Sequence, residues 1–312
     1  MSGIVKQQHY VFRYYLKAWA ESKSFCCYSK DRRNQFSTTP KKVGNKRYFY
    51  QLNRLTAEDR KFIDLVLGPV DGQLKRFHLE FVALTQRPFE IEDTLEDPDL
   101  PPEQRQKIEC DLREVKINLI EKIHYLFEMN AIPLLASLRQ YDGSFYSDCA
   151  SCIDFLNYLN HQYFRTDNLR KKIIALPDMV PGHSFERTAL IFNHIYATSA
   201  AASLYLDRER YKIAFLKNST GAPLLTGDQP VINLLDPAGT DEVELYYPIS
   251  PETAILLTCD NGKTDNTITE LSDVEVESFN FLIFNRAADQ VYSSDPVYLG
   301  DFVKAACHLA PS

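Results

Sequence analysis

The sequence predicts an α+β protein in which a helical middle separates a short N-terminal β and aromatic segment from a β-rich C-terminal part. Three observations carry this. Between residues 55 and 207 apolar positions recur every three or four residues, the period of an amphipathic helix. After Asp207 the runs shorten to YKIAFLKN, APLLTG, PVINLL, VELYYPI and TAILLTC, β-rich stretches bounded by Gly, Pro, Asn and Asp. Before residue 55, SFCCYSK and QFSTT flank the turn-forming DRRN. The chain has 312 residues, 45% of them hydrophobic, enough for a substantial core. It therefore reads as a single domain, 1–312, with a basic segment 1–54, a helical region 55–207 and a β-rich region 208–312 that ends in helices.

Taken in order, QQHYVFRYYLKAWA (7–20) mixes aromatics with cations and fits a short amphipathic helix or an irregular lead-in to a strand. From Leu55 the helical period sets in, Thr56 with Asp59 forms a capping signal, and Gly68 with Pro69 divides the run. EIEDTLEDPDLPPEQ (90–104) reads as an acidic loop. Ile108, Leu112, Val115, Leu119, Ile123 and Leu126 mark a long amphipathic helix over 105–140 that Pro133 should kink or end. Further helices are expected at 149–163 and 184–207, near 272–288 and after Pro296, with an extended VYSS between the last two.

Composition narrows the functional classes. No stretch approaches the roughly 20 apolar residues of a membrane span, and the charged N-terminus lacks a signal-peptide core, which predicts a cytoplasmic protein without membrane partners. The seven cysteines are few and dispersed, as expected of reduced thiols. Cys149 and Cys152 have CxxC spacing but lack a second ligand pair. The net charge of -7 conceals an asymmetry: residues 1–62 hold 14 Lys and Arg against 4 Asp and Glu, the remainder 21 against 38. Such a basic segment suits nucleic acid or a nucleotide, or else pairs with the acidic remainder inside one fold.

Four separated stretches then carry a resemblance: QHYVFRYYLKAWA, NHQYFRTDNLR (160–170), LLTGDQPVIN with YYPISPETAILL (224–257), and FNFLIFNRAADQVYS (279–293). Together they resemble the bacterial domain-of-unknown-function family numbered 4238. The resemblance marks Asn280, Ala287 and Ser293 as motif positions and implies no reaction. Phe12 stands where that family's motif has proline, and Gly227 where it has serine.

Within these stretches several residue types point to chemistry. His9, among Tyr10 and Arg13, suits a general base or an anion contact, or simply a histidine that fixes the N-terminus. On one helix, His161, Gln162 and Arg165 are spaced so that Arg165 can take a phosphate or carboxylate while Gln162 orients it; a plain ion pair is the alternative. Asp228 sits at a strand end before Gln229 and Pro230, placed to orient the histidine or bind a metal, or to cap a turn. Asn280 lies at the border of an apolar helix face, with Tyr292 and Ser293 near the same place; a pocket wall or a helix crossing both fit. Walker A, dinucleotide and HExxH motifs are absent, and Ser293 lacks nucleophile-elbow glycines. The expected function is a hydrolase on a phosphodiester or other anionic substrate, nuclease-like, as in phage defence, with a divalent metal as the cofactor this chemistry allows. His9, Arg165, Asp228 and Asn280 would then share one cleft. The alternative is a non-catalytic module that binds a nucleotide, peptide or nucleic acid.

Overall fold

The computed structural model describes residues 3–96, 100–177, 180–235, 239–259, 262 and 264–309. The N-terminal region holds β1 (Gln7–His9), α1 (Arg13–Leu16), a 3-10 turn (Lys17–Trp19), β2 (Phe25–Ser29), β3 (Asn34–Thr38) and β4 (Asn45–Arg47). The helical middle follows as α2 (Ala57–Val66), α3 (Gly72–Asp93), α4 (Pro102–Leu138), α5 (Cys149–Phe164), α6 (Asp167–Ile174) and α7 (Phe185–Leu206). The C-terminal part comprises β5 (Lys212–Asn218), β6 (Thr226–Gly227), β7 (Ile232–Asn233), β8 (Leu245–Ser250), β9 (Thr253–Thr258) and β10 (Ile268–Leu271). It closes with α8 (Asp273–Arg286), β11 (Gln290–Ser293) and α9 (Pro296–Leu309). The protein is thus α+β, with a helical middle and a C-terminal sheet region.

Local chemistry explains most boundaries. Thr56 and Asp59 close a reciprocal capping box at the start of α2, and Ser272 with Glu275 does the same for α8. Gly68 and Pro69 fall in the break between α2 and α3, and Gly72, the first residue of α3, takes φ +64. One expectation needs correction and another is narrowed. Most of the acidic stretch 90–104 is not loop, because α3 runs to Asp93, a 3-10 turn covers Thr94–Glu96 and α4 starts at Pro102; positions 97–99 lie outside the described residues. Cations hold these acids in place: Arg54 grips Asp93 and Glu92, and Lys116 reaches Glu92. Pro133 does not end its helix either. α4 continues to Leu138, about 55 Å in all. The carbonyl that Pro133 leaves without its usual donor belongs to Met129, a 43% exposed residue that can turn toward water.

Among the described residues the strands form three sheets. β1 pairs with β4; β3-β2-β11-β6 make an antiparallel sheet; and β10-β5-β9-β8-β7 make a second, antiparallel except for the parallel β10–β5 pair. The short segment 228–231 steps from β6 in one sheet to β7 in the other, so Asp228 and Gln229 lie where the sheets meet. The larger hydrophobic cluster draws Tyr15 and Trp19 from the N-terminal segment, Phe155 from α5 and Tyr247 from β8. Polar anchors fix the segment's orientation: the Tyr15 hydroxyl bonds Thr226 and the Pro248 carbonyl, and Trp19 Nε1 donates to the Leu224 carbonyl.

Removing the α2 cap tests this reading of the helix boundary. Thr56→Ala should lower the urea-unfolding free energy by about 1 kcal/mol without changing the slope. An unaltered midpoint would mean the box contributes nothing.

Candidate functional site

The site begins with a backbone problem. Between β1 and α1 the chain turns sharply, and Gln162, fully buried on α5, satisfies the polar groups of that turn. Its Nε2 donates to the Tyr10 carbonyl at 2.9 Å, and its Oε1 accepts from the Phe12 N–H at 3.1 Å and from Arg165 Nη2 at 2.9 Å. Phe12 has φ -63, which suits proline, but proline would delete the N–H that Gln162 receives. Gln8 fixes the preceding strand in the same way, donating to the Ile117 carbonyl and accepting from the Tyr50 N–H.

Arg165 follows the last residue of α5 and is 3% exposed. Its second partner is Glu128 of α4, at 2.6 Å. Burial works against the Arg165 charge, but Glu128 outweighs it and holds the guanidinium firmly protonated. One α4 turn pair earlier, Glu121 accepts from the His9 backbone N–H at 3.4 Å. Burial, then repulsion from Glu128, pushes the Glu121 carboxyl up to about 7. The exposed Arg13 completes the group, close enough for its charge to act on both His9 and Glu128.

The His9 ring is half-buried and its Nε2 lies 3.2 Å from the Lys41 carbonyl, which makes that nitrogen the protonated one. Burial, with the charges of Arg13 and Arg165, lowers its pKa to about 4, so His9 is uncharged at neutral pH. Beneath lies a row of buried imidazoles. His161 bonds the Asn157 carbonyl and His194, and the His124 ring stands 5.7 Å from that of His161. Burial holds His161 at about 4 and the other two well below their ordinary value. Four polar atoms of the cluster have no hydrogen-bond partner among the described residues: Arg165 Nε, Glu121 Oε2, His124 Nδ1 and His194 Nε2. Buried polar atoms are nearly always paired, which sets these apart from Gln8 and Gln162.

The other expected site residues are placed differently. Asp228 is 1% exposed and its carboxylate accepts from three consecutive backbone N–H groups, of Ala288, Asp289 and Gln290. It thereby ties the sheet junction to the turn between α8 and β11. Burial raises its pKa to about 6 against the pull of those three donors. Gly227 beside it admits no side chain, because a Cβ there would meet the Gln290 carbonyl at 2.9 Å. Asn280 accepts from the Leu225 N–H and donates to the Pro223 carbonyl and the Tyr298 hydroxyl. Ser293 accepts from the Asp295 N–H in the turn that opens α9. The structure thus brings His9, Tyr10, Arg13, Gln162 and Arg165 together, while Asp228, Asn280 and Ser293 hold backbone elsewhere. Tyr10 stands between the groups: its buried hydroxyl, held protonated by burial, also feels the charge of Asp228.

Glu121, His124 and Glu128 are absent from the sequence reading. Their spacing, three and four residues apart in EKIHYLFE, was the available signal, since it puts all three on one helix face. Among the described residues no three His, Cys, Asp or Glu side chains gather as a metal site, and the seven cysteines are free thiols. The basic segment is partly neutralised: Lys46 pairs with Asp167, Arg54 with Asp93, and Lys30 caps carbonyls of Phe284 and Ala287. Lys41, Lys42 and Arg47 are exposed and have no ion pair among the described residues.

Comparison with known proteins gives a family match. The family model described as "Protein of unknown function (DUF4238)" covers residues 7–296. No curated protein and no solved structure matches the chain.

Two outcomes follow from this geometry. Asp228→Asn puts an NH₂ against at least one backbone N–H, so it should cost about 2 to 4 kcal/mol in denaturant unfolding; a cost below about 0.5 kcal/mol would contradict the joint described here. Glu121 has a raised folded-state pKa, so its contribution to stability is complete below the ordinary value of 4.5 and disappears as pH rises through about 7. Between pH 4.5 and 8, Glu121→Gln should therefore gain stability relative to wild type by on the order of 3 kcal/mol. Parallel pH profiles for the two proteins would contradict it.

Proposed function

Because the chain belongs to the DUF4238 family, whose description names no reaction, we propose its function from the geometry: a hydrolase that cleaves a phosphodiester or similar anionic ester at His9, Glu121 and Arg165. The observation that supports this most is Glu121, a largely buried carboxyl at about 7 beside a buried guanidinium with an unpartnered N–H. A group that is half protonated near neutral pH serves as both base and acid.

In this reading ionised Glu121 takes a proton from water as the water oxygen attacks phosphorus. The bond from phosphorus to the leaving oxygen breaks, and protonated Glu121 returns the proton to that oxygen. Arg165, through Nε, and Arg13 stabilise charge on the non-bridging oxygens. The His9 backbone N–H steadies Glu121, and its uncharged ring would act there as a hydrogen-bonding group. A nucleic acid is the polymeric form of such a substrate, with Lys41, Lys42 and Arg47 beside the β1–β4 pair as phosphate contacts. One observation favours a non-catalytic binding module instead: Glu128 already neutralises Arg165.

Turnover decides between them. Purified protein assayed on RNA and DNA, with and without Mg²⁺ or Mn²⁺, should cleave, and Glu121→Gln should lower kcat about 10²- to 10⁴-fold while remaining folded. The wild-type rate should follow an ionisation near 7 that the variant lacks. Binding without cleavage, weakened by Arg13→Gln, would replace the hydrolase with the binding module.

A further inference from the structure

Three of the stretches singled out in the sequence meet a second time, away from Glu121. They enclose a cavity of 180 Å³ lined by Tyr163 at the end of α5, Asn168 and Lys172 of α6, Gln229 from the sheet junction, Asn233 of β7 and Arg286 at the end of α8. Hydrogen bonds build its walls. Buried Gln229 donates to the carbonyls of Tyr163 and Val231 and accepts from Thr166, while Asn168 Nδ2 donates to the Arg286 carbonyl at 2.9 Å. These bonds lock α6, the sheet junction and α8 around one space.

Beside the apolar Leu169, Val231, Ile232 and Leu235, the space is lined by side chains that can donate. Asn233, which lines the cavity, uses its Oδ1 for the N–H groups of Leu235 and Glu244, which leaves its NH₂ free to donate. Lys172 and Arg286 stand exposed at the rim without an ion pair among the described residues. Arg286 lies close enough to the Tyr163 hydroxyl for its charge to offset part of what burial does there. The carbonyls at the end of α8, which would repel an anion, are covered by Lys30. Although the chain carries 42 acidic residues, none is among the described residues lining the cavity.

We propose that this cavity binds the phosphate group of a small phosphorylated ligand. Its 180 Å³ is below the roughly 300 to 1,000 Å³ of a site that encloses a whole small molecule, so it takes a headgroup. Donors from four separate elements surround the space, which suits the four oxygens of a tetrahedral phosphate better than the two of a carboxylate. Two cations match its double charge, and Arg286 can bind two oxygens at once. Lys172 and Arg286 take no part in the Glu121 chemistry, so either site can fail without the other.

The test uses inorganic phosphate with the full chain at pH 8, by calorimetry and thermal unfolding, against chloride and acetate at equal ionic strength. Phosphate should bind one site and raise Tm where chloride and acetate do not. The double variant Lys172→Gln, Arg286→Gln should weaken binding by at least about tenfold, and Arg13→Gln and Glu121→Gln should leave it unchanged. Both altered residues are exposed, so the unliganded Tm should stay near wild type. The proposal is overturned if phosphate gives no more than chloride, if acetate does as well, if the double variant binds normally, or if Arg13→Gln is what removes binding.

Discussion

The Gln162 side chain is the joint on which the site rests. A turn that buries the Tyr10 carbonyl and the Phe12 N–H needs partners for both, and one amide on α5 supplies them. The same amide oxygen receives Arg165, so the bonds that seat the N-terminal segment also fix the direction of the guanidinium. Fold and candidate chemistry are therefore coupled at one residue. The coupling explains why a segment with so little regular structure is among the best buried: Val11, Tyr15, Leu16 and Trp19 are each inaccessible to solvent.

A division of labour follows among the buried polar residues. Asp228, Asn280 and Gln8 have every relevant polar atom paired with backbone, which is what holding irregular segments together requires. Glu121, Arg165 and His124 retain unpaired atoms and lie beside charges that shift their proton affinities. The row of uncharged imidazoles behind them adds a low-dielectric backing, which strengthens the repulsion between Glu121 and Glu128.

The helices and most strands were legible because they depend on local pattern. Thr56 with Asp59, the Gly68 and Pro69 break and the short runs after Asp207 all carry their signals within a few residues. What failed depends on distant partners. The acids of 90–104 look like loop until Arg54 and Lys116 are seen to pair with them, and β4 becomes a strand only because β1 lies beside it. The candidate site was half legible for the same reason. Arg165 and Gln162 announce themselves by spacing, and Arg13 by its charge. Glu121 is one carboxylate among many on a long helix, and its altered proton affinity comes from Glu128 and from burial that no sequence window contains. Asp228 shows the converse: a strand-end carboxylate before proline has the pattern of a site residue, and only the three N–H groups from 60 residues away identify its work as structural.

Everything proposed for the site turns on the protonation of one carboxyl. Carbon-13 NMR of protein labelled at the glutamate carboxyls, with Glu121 assigned by its loss in Glu121→Gln, measures that directly. The account predicts a midpoint near 7 in the wild type and a lower one in Glu128→Gln, because removing the neighbouring negative charge favours ionisation. A Glu121 midpoint in the ordinary carboxylate range, unmoved by Glu128→Gln, would contradict it.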